Sequence, residues 1–324
     1  MKSKFNYPLA ENLAKNLIFI DGIARCGKSL FSSVISSFEN MEHIQFVNCL
    51  EQIIPSIKLG GTDIGFAKSF LRLSLNELAY DLQLSRNVNF RDSDQTGIDN
   101  YKEPNIYRDR LKLKEGDEIV DLIRNNEIVI PLQTHDLMVN LDIVDDLCLD
   151  YKIIELYRNP IDNLYSWWAR GWGVRFCKDP RAFKLSISHG EIPLPWYCAG
   201  YEEQVVDLNP HEKCCVIGMN LIRRSIEKQK NANNPERILT IRFEEMVQRP
   251  QAQLKRISKF INKNETRYTS NFVSAARCPR VLDPKDREKK LNIFKTNINP
   301  KLFDELSVME ENYERDTYGL LSAG

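Results

Sequence analysis

The sequence predicts a three-layer α/β fold: a central, mainly parallel sheet with a P-loop after its first strand and helical insertions between later strands. Three observations carry this expectation. Short apolar runs recur along the chain and are followed by helix-patterned stretches. A glycine-containing loop, Gly22 to Ser29, lies between the first such run and the first helix. Long polar or helix-patterned segments separate the later runs.

The first run, Asn16 to Asp21, is short and apolar and ends at Gly22, and Ser29 to Phe38 then carries apolar residues at helical spacing. A second unit begins at Glu127 (EIVIPLQTH). A third begins at Tyr151 (YKIIELYRNP), with Ile161 to Arg170 on the helix behind it. A fourth strand is expected at Arg237 to Phe243, ahead of a helix from Pro250 to Ile261. Strands that read as apolar throughout are buried on both faces, as parallel strands covered by helices must be. Residues 53–126 read as helices plus a polar loop from Asn87 to Glu103, and residues 174–230 as a helix-rich insertion. Without repeat, low-complexity tract or linker, residues 1–324 are expected to form one domain, the insertions shaping a pocket above the strand ends.

Composition narrows the classes of function. Forty-two per cent hydrophobic and 28% charged residues in a chain of 324 describe an ordinary globular protein. Forty-five basic residues balance 45 acidic ones, so no global charge draws the chain to nucleic acid or a membrane surface, and any anion site must be local. Eight cysteines are scattered without C-x-x-C pairs or Cys/His ligand spacing, which suits a reducing cytoplasm and suggests no structural metal. The polar start, Met1 to Lys15, lacks an apolar stretch of signal or anchor length, so neither export nor a membrane span is expected.

Gly22-Ile-Ala-Arg25-Cys26-Gly27-Lys28-Ser29 fits G-x-x-x-x-G-K-[S/T] in full, between a predicted strand and a predicted helix. The glycines let backbone N–H groups curl round a phosphate, the helix N-terminus contributes its positive dipole end, and Arg25 and Lys28 contribute charge. The motif leaves the phosphate compound open. An ATP-dependent kinase or nucleotidase also needs a carboxylate at a neighbouring strand end for Mg²⁺. The predicted strands end in Gln133-Thr134-His135, Arg158-Asn159-Pro160 and Phe243-Glu244-Glu245, and only the last offers one.

Four segments in order resemble the sulfotransferases that use 3′-phosphoadenosine 5′-phosphosulfate (PAPS). Arg25-Cys-Gly-Lys-Ser29-Leu30 is similar to the family's [K/R]-S-G-T-[T/S]-x loop, with Lys28 in place of the usual Thr. Leu132-Gln-Thr-His135 resembles the K-T-H strand end, with Gln133 in place of the Lys. Arg158-Asn-Pro-Ile-Asp-Asn-Leu-Tyr-Ser166 reproduces R-[N/D]-P-x-D-x-x-x-S, and Ile241-Arg-Phe243-Glu-Glu-Met-Val-Gln-Arg-Pro250 is similar to the segment whose aromatic ring lies near adenine.

The resemblance implies a transferase that moves a sulfuryl group from PAPS to a hydroxyl or amine and releases adenosine 3′,5′-bisphosphate (PAP), without a metal. It implies that residues Gly22, Arg25, Cys26, Gly27, Lys28, Ser29 and Leu30 wrap the phosphosulfate, and that Arg158 and Ser166 hold the 3′-phosphate beside Phe243. His135 becomes the general base, a task that suits imidazole at neutral pH, with Arg25 and Lys28 stabilising charge. A carboxylate of Arg91-Asp92-Ser93-Asp94 is the alternative base, and Arg287, Lys289, Lys290 or Lys295 the expected late cation at the 3′-phosphate. Trp167, Trp168, Trp172, Trp196, Tyr197 and Tyr201 are candidates for the floor of a pocket for a small-molecule or glycan acceptor, and for core packing. The competing classes are the kinase or nucleotidase, which explains only the loop, and a non-catalytic nucleotide-binding relative.

Overall fold

The structure, a computed structural model, describes residues 5–126, 128–176 and 179–321. Glu127, where the second unit was expected to begin, Cys177 and the first four residues of the polar start lie outside the described residues.

Four strands form the central sheet: β1 (Leu17–Asp21), β2 (Ile130–Gln133), β3 (Tyr151–Tyr157) and, numbered after a separate hairpin β4 (Ser186–His189) and β5 (Ile192–Pro195), β6 (Ile238–Arg242). Their order is β2-β1-β3-β6 and every pairing is parallel. The helices are α1 (Lys28–Ile35), α2 (Asn48–Lys58), α3 (Ile64–Leu84), α4 (Pro104–Arg110), α5 (Asp117–Asn125), α6 (Leu141–Asp146), α7 (Pro160–Ala169), α8 (Trp172–Arg175), α9 (Pro210–Lys230), α10 (Phe243–Gln248), α11 (Pro250–Ile261), α12 (Thr269–Ala275), α13 (Pro284–Asn297) and α14 (Pro300–Leu321).

Alternate side chains of each strand enter different layers, as a period of two requires. Leu17, Phe19, Ile130, Leu132, Ile153 and Ile238 face a core shared with α2, α3 and α6. Ile18, Ile20, Ile154, Leu156, Leu239 and Ile241 face the opposite core, filled from α1, α10, α11 and α12. The predicted three-layer arrangement follows directly from strands that are apolar at both parities.

Three boundaries differ from the sequence reading. The first helix stops at Ile35 rather than Phe38, because Ser36 and Ser37 turn their hydroxyls onto the carbonyls of Ser32 and Val34 and end the helical ladder. Strand β2 is shorter than expected, although Met41 and Val129 form a parallel bridge just before it. The later insertion is not all helix: Ser186 to Pro195 forms an antiparallel hairpin in which His189 pairs with Ile192 around Gly190-Glu191. Gly190 has φ 58°, the left-handed conformation that such a tight turn demands.

Candidate functional site

The parallel arrangement brings the C-terminal ends of all four strands to one edge of the sheet, where the candidate residues gather. Gly22 follows β1 with φ 133°, and Gly27 caps α1 with φ 113°. A Cβ at Gly22 would run into the Leu156 carbonyl, and one at Gly27 would lie 2.5 Å from the Phe243 ring. Glycine is therefore required at both ends of the loop. Helix α7 fixes the middle: the Trp167 indole N–H donates to the Ala24 carbonyl at 2.6 Å, and the Asn163 amide reaches the same oxygen at 3.3 Å.

The loop's own side chains divide. Arg25 projects outwards and donates from Nε to Ser166 Oγ at 3.0 Å. Half-burial, with Arg170 and Arg158 close by, pulls its pKa down, the signature of cations crowded together. Lys28 is instead buried beneath the loop, its ammonium donating to the carbonyls of Gly22 and Ile23. Cys26 is also buried, and burial pushes its thiol up to about 11, so it stays neutral and unreactive. Ser29 and Leu30 start α1 at the mouth of the loop.

Arg158, at the end of β3, donates from Nη1 to the Arg25 carbonyl at 3.1 Å and lies 4.6 Å from the centre of the Phe243 ring. Its Nε is buried without a hydrogen-bond partner among the described residues. Arg280 stands over the same ring at 5.6 Å. The structure thus brings Arg25, Gly27, Arg158, Ser166 and Phe243 together. It adds Arg170 and Arg280, which no motif marked. An orphaned guanidinium N–H amid crowded cations and a helix N-terminus fits a multiply charged anion.

Of the late basic segment, Arg287 and Lys290 line a cavity of about 560 Å³ together with Arg158, Phe243 and Arg280. Arg287 and Lys290 are both bound to Asp162, at 3.0 and 2.8 Å, and so fasten α13 to α7. Burial pushes the Asp162 carboxyl up, but the two cations outweigh it and hold it below its ordinary value. Lys289 and Lys295 are exposed.

Two carboxylates beside the loop escaped the sequence reading, because they lie within strands rather than after them. Asp21 and Glu155 are register partners on β1 and β3, and both are fully buried. Burial raises both pKa values, Glu155 well above its usual range, with Asp21 adding to the rise at Glu155 and Lys28 opposing it at Asp21. Asp21 accepts from Thr134 Oγ1 at 3.0 Å and from the Met138 N–H at 2.9 Å, and Glu155 accepts from Ser225 at 2.9 Å. These groups brace the strand ends from below. Glu244 is likewise engaged, by the Asn159 N–H and Tyr313, and no cluster of three or more metal-ligating side chains occurs among the described residues.

On the other side of the loop, β2 ends at Gln133, whose amide is held by Ser32 at 2.7 Å and Ser29 at 3.3 Å. Two residues on, His135 is half-buried and its Nδ1 lies 3.0 Å from Glu51 Oε1 on α2. Lys184 lies 4.0 Å from the other Glu51 oxygen and 3.0 Å from Asp136. The remaining histidines are placed otherwise: His43 is buried against the Gly97 carbonyl, with burial lowering its pKa to about 4, and His211 stacks on Trp168. His189 belongs to the hairpin. Of the alternative carboxylates, Asp94 accepts from the Asn89 amide at 3.2 Å and lies 3.3 Å from Arg91 within its own turn.

Of the six aromatic candidates, Trp167, Trp196 and Tyr197 are core residues. Trp172 and Tyr197 line a cavity of about 130 Å³ with Phe176, Pro195 and Lys184.

No curated protein sequence matches the chain. Solved structures similar to it include the sulfotransferase domain of the Synechococcus PCC 7002 olefin synthase, at 13% identity over 96% of this chain and 98% of that one, with a TM-score of 0.47. A sulfotransferase from Alicyclobacillus acidocaldarius aligns at 16% identity over 92% and 96%, with a TM-score of 0.40. A mouse sulfotransferase complexed with PAP aligns at 13% identity over 98% and 91%, also at 0.40. The profile of the sulfotransferase domain matches residues 16–276, a span that begins at β1, ends just past α12 and takes in both sides of the loop, and the chain therefore belongs to the sulfotransferase family.

Proposed function

We propose that the protein transfers a sulfuryl group from PAPS to a hydroxyl or amine of a small-molecule or glycan acceptor, with His135 as general base. The observation that carries this reading is the convergence of Arg25, Arg158 and Ser166 around a loop whose far side is tied through Ser29 to Gln133, two residues before His135. When bound, PAPS supplies the sulfuryl group and PAP is what remains.

Each residue has a task that its surroundings support. The N–H groups at the start of α1, from Gly27 through Ser29, face the phosphosulfate, and Arg25 adds a positive charge there. Lys28 acts from beneath, holding the carbonyls of Gly22 and Ile23 away from the anion and countering Asp21. Arg158 and Ser166 take the 3′-phosphate, and Phe243, faced by two arginines, flanks the adenine. His135 takes the proton of the acceptor, which enters from the side of the cavity between Trp172 and Tyr197. The reading calls for no metal, in keeping with carboxylates already engaged within the fold. It takes residues 1–324 as one domain working in the cytoplasm, and among the described residues no helix is long and apolar enough to cross a membrane.

The test combines binding with turnover. PAP should bind more tightly than AMP, by about 1.5–3 kcal/mol for each charge-assisted contact to the 3′-phosphate. His135→Ala should leave PAP affinity unchanged while sulfuryl transfer, followed with labelled PAPS and a panel of sugars, phenols and amines, falls about 10²–10⁴-fold. Equal affinities for PAP and AMP would remove the donor, and full activity in His135→Ala would remove the base.

A further inference from the structure

The two nitrogens of an imidazole cannot both serve a base: one must carry the proton, and the other must be free to receive one. At His135 the structure gives Nδ1 a carboxylate partner, Glu51 Oε1 at 3.0 Å, across 84 residues of sequence. An ionised carboxylate only accepts, so this contact requires the proton on Nδ1. Nε2 is left as the lone-pair nitrogen.

We infer that Glu51 is a positioning residue for sulfuryl transfer, holding His135 in the tautomer and orientation in which Nε2 can take the acceptor's proton. This inference rests on His135 being the base. Glu51 is suited to the task because it is itself fixed. Burial pushes its carboxyl up, yet His135 and Lys184, with Lys28 further off, bring it below its ordinary value. Lys184 remains a cation although burial opposes it, because Asp136 and Glu51 both face it. Beside Glu51 and His135 therefore stand Asp136, next along the chain, and Lys184 from the segment before the hairpin, with Lys28 further from Glu51.

The same helix also orders the acceptor side. Gln52, the neighbour of Glu51, donates to the Phe183 carbonyl at 2.9 Å and accepts from the Leu185 N–H at 2.6 Å. Helix α2 thereby ties the base to the segment that carries Lys184 and borders the cavity at Trp172. During transfer the proton passes from the acceptor's O–H or N–H to Nε2, and the imidazolium formed keeps its Nδ1–H on Glu51, with no proton passed to the carboxylate.

The experiment needs no acceptor for its first readout. Among four histidines, the ¹⁵N resonances of His135 can be assigned with His135→Ala and should show Nδ1 protonated and Nε2 bare at neutral pH. In Glu51→Gln and Glu51→Ala that pattern should be lost, since no carboxylate then holds the proton on Nδ1. Turnover should drop about tenfold or more, with PAP affinity unaltered. Glu51→Asp, which keeps a carboxylate, should recover part of both effects and covers the case in which the other variants fold poorly. In a His135→Ala background, Glu51→Gln should cost nothing further. If His135→Ala is inactive but both Glu51 variants keep the wild-type tautomer and turnover, this inference fails and the base stands. If His135→Ala is fully active, the base assignment fails and takes the positioning role with it.

Discussion

Gly27 shows how little freedom the loop leaves at the scale of one residue. Its φ of 113° is a conformation in which side chains are strained, and the Phe243 ring occupies the place of a Cβ at 2.5 Å. Gly27→Ala should therefore lose about 1–3 kcal/mol of stability in urea titrations and weaken PAP binding, because the ring that must move is the one flanked by Arg158 and Arg280. A variant with wild-type stability and PAP affinity would show that loop and ring are free to separate. Arg25 and Lys28 illustrate the same economy of position. They are three residues apart, yet one guanidinium reaches out to Ser166 while the ammonium turns under the loop, so a single motif delivers charge from two sides.

At the scale of elements, the aspartate of the R-N-P-x-D pattern has a task that its motif did not reveal. Asp162 joins α7 to α13 through Arg287 and Lys290, and Phe294 and Leu164 bury the apolar part of the same junction. Asp162→Asn leaves two cations facing an uncharged amide, and it should cost about 1–3 kcal/mol at pH 7. The carboxyl is held below its ordinary value in the folded chain, so its stabilisation is complete above the unfolded pKa and is lost as pH falls through the folded one. The gap in urea midpoint between wild type and Asp162→Asn should accordingly be present at pH 7 and close under acid conditions. A gap that persists unchanged in acid would mean that packing, not charge, holds α13.

For the whole molecule, the buried pair Asp21 and Glu155 sets an expectation for the stability curve. Both pKa values are raised, with burial as the leading cause, so the folded chain keeps protons that the unfolded chain has released. Stability must then decline as pH rises from the unfolded pKa, roughly 4, through the raised folded values. Glu155→Gln removes one of these titrations while keeping an acceptor for Ser225. The variant should be no more stable than wild type near pH 4 and gain on it as pH rises to 8, measured as urea midpoints. A wild-type slope in Glu155→Gln would show that another buried acid governs the alkaline side. The pair lies where β1, β3 and α9 meet, so it couples loop geometry to the fold as a unit.

The sequence by itself determined the strand–loop–helix that carries Gly22 to Ser29, the alternation of strands with helices, and the motif residues Arg158, Ser166, Phe243 and His135. These were legible because each depends on short-range spacing: period two in strands, helical period behind them, and residue types at strand ends. Only the tertiary structure decided what faces them. Glu51 reaches His135 and Lys184 reaches Glu51 from separate segments, Arg280 reaches Phe243 from beyond α12, and Arg287 and Lys290 bind Asp162 beside the cavity they share with Arg158. Partners so distant along the chain leave no spacing in the sequence, because a charge is attracted by whatever the packing of helices brings within a few ångströms, and that packing is set by the apolar cores on the two faces of the sheet.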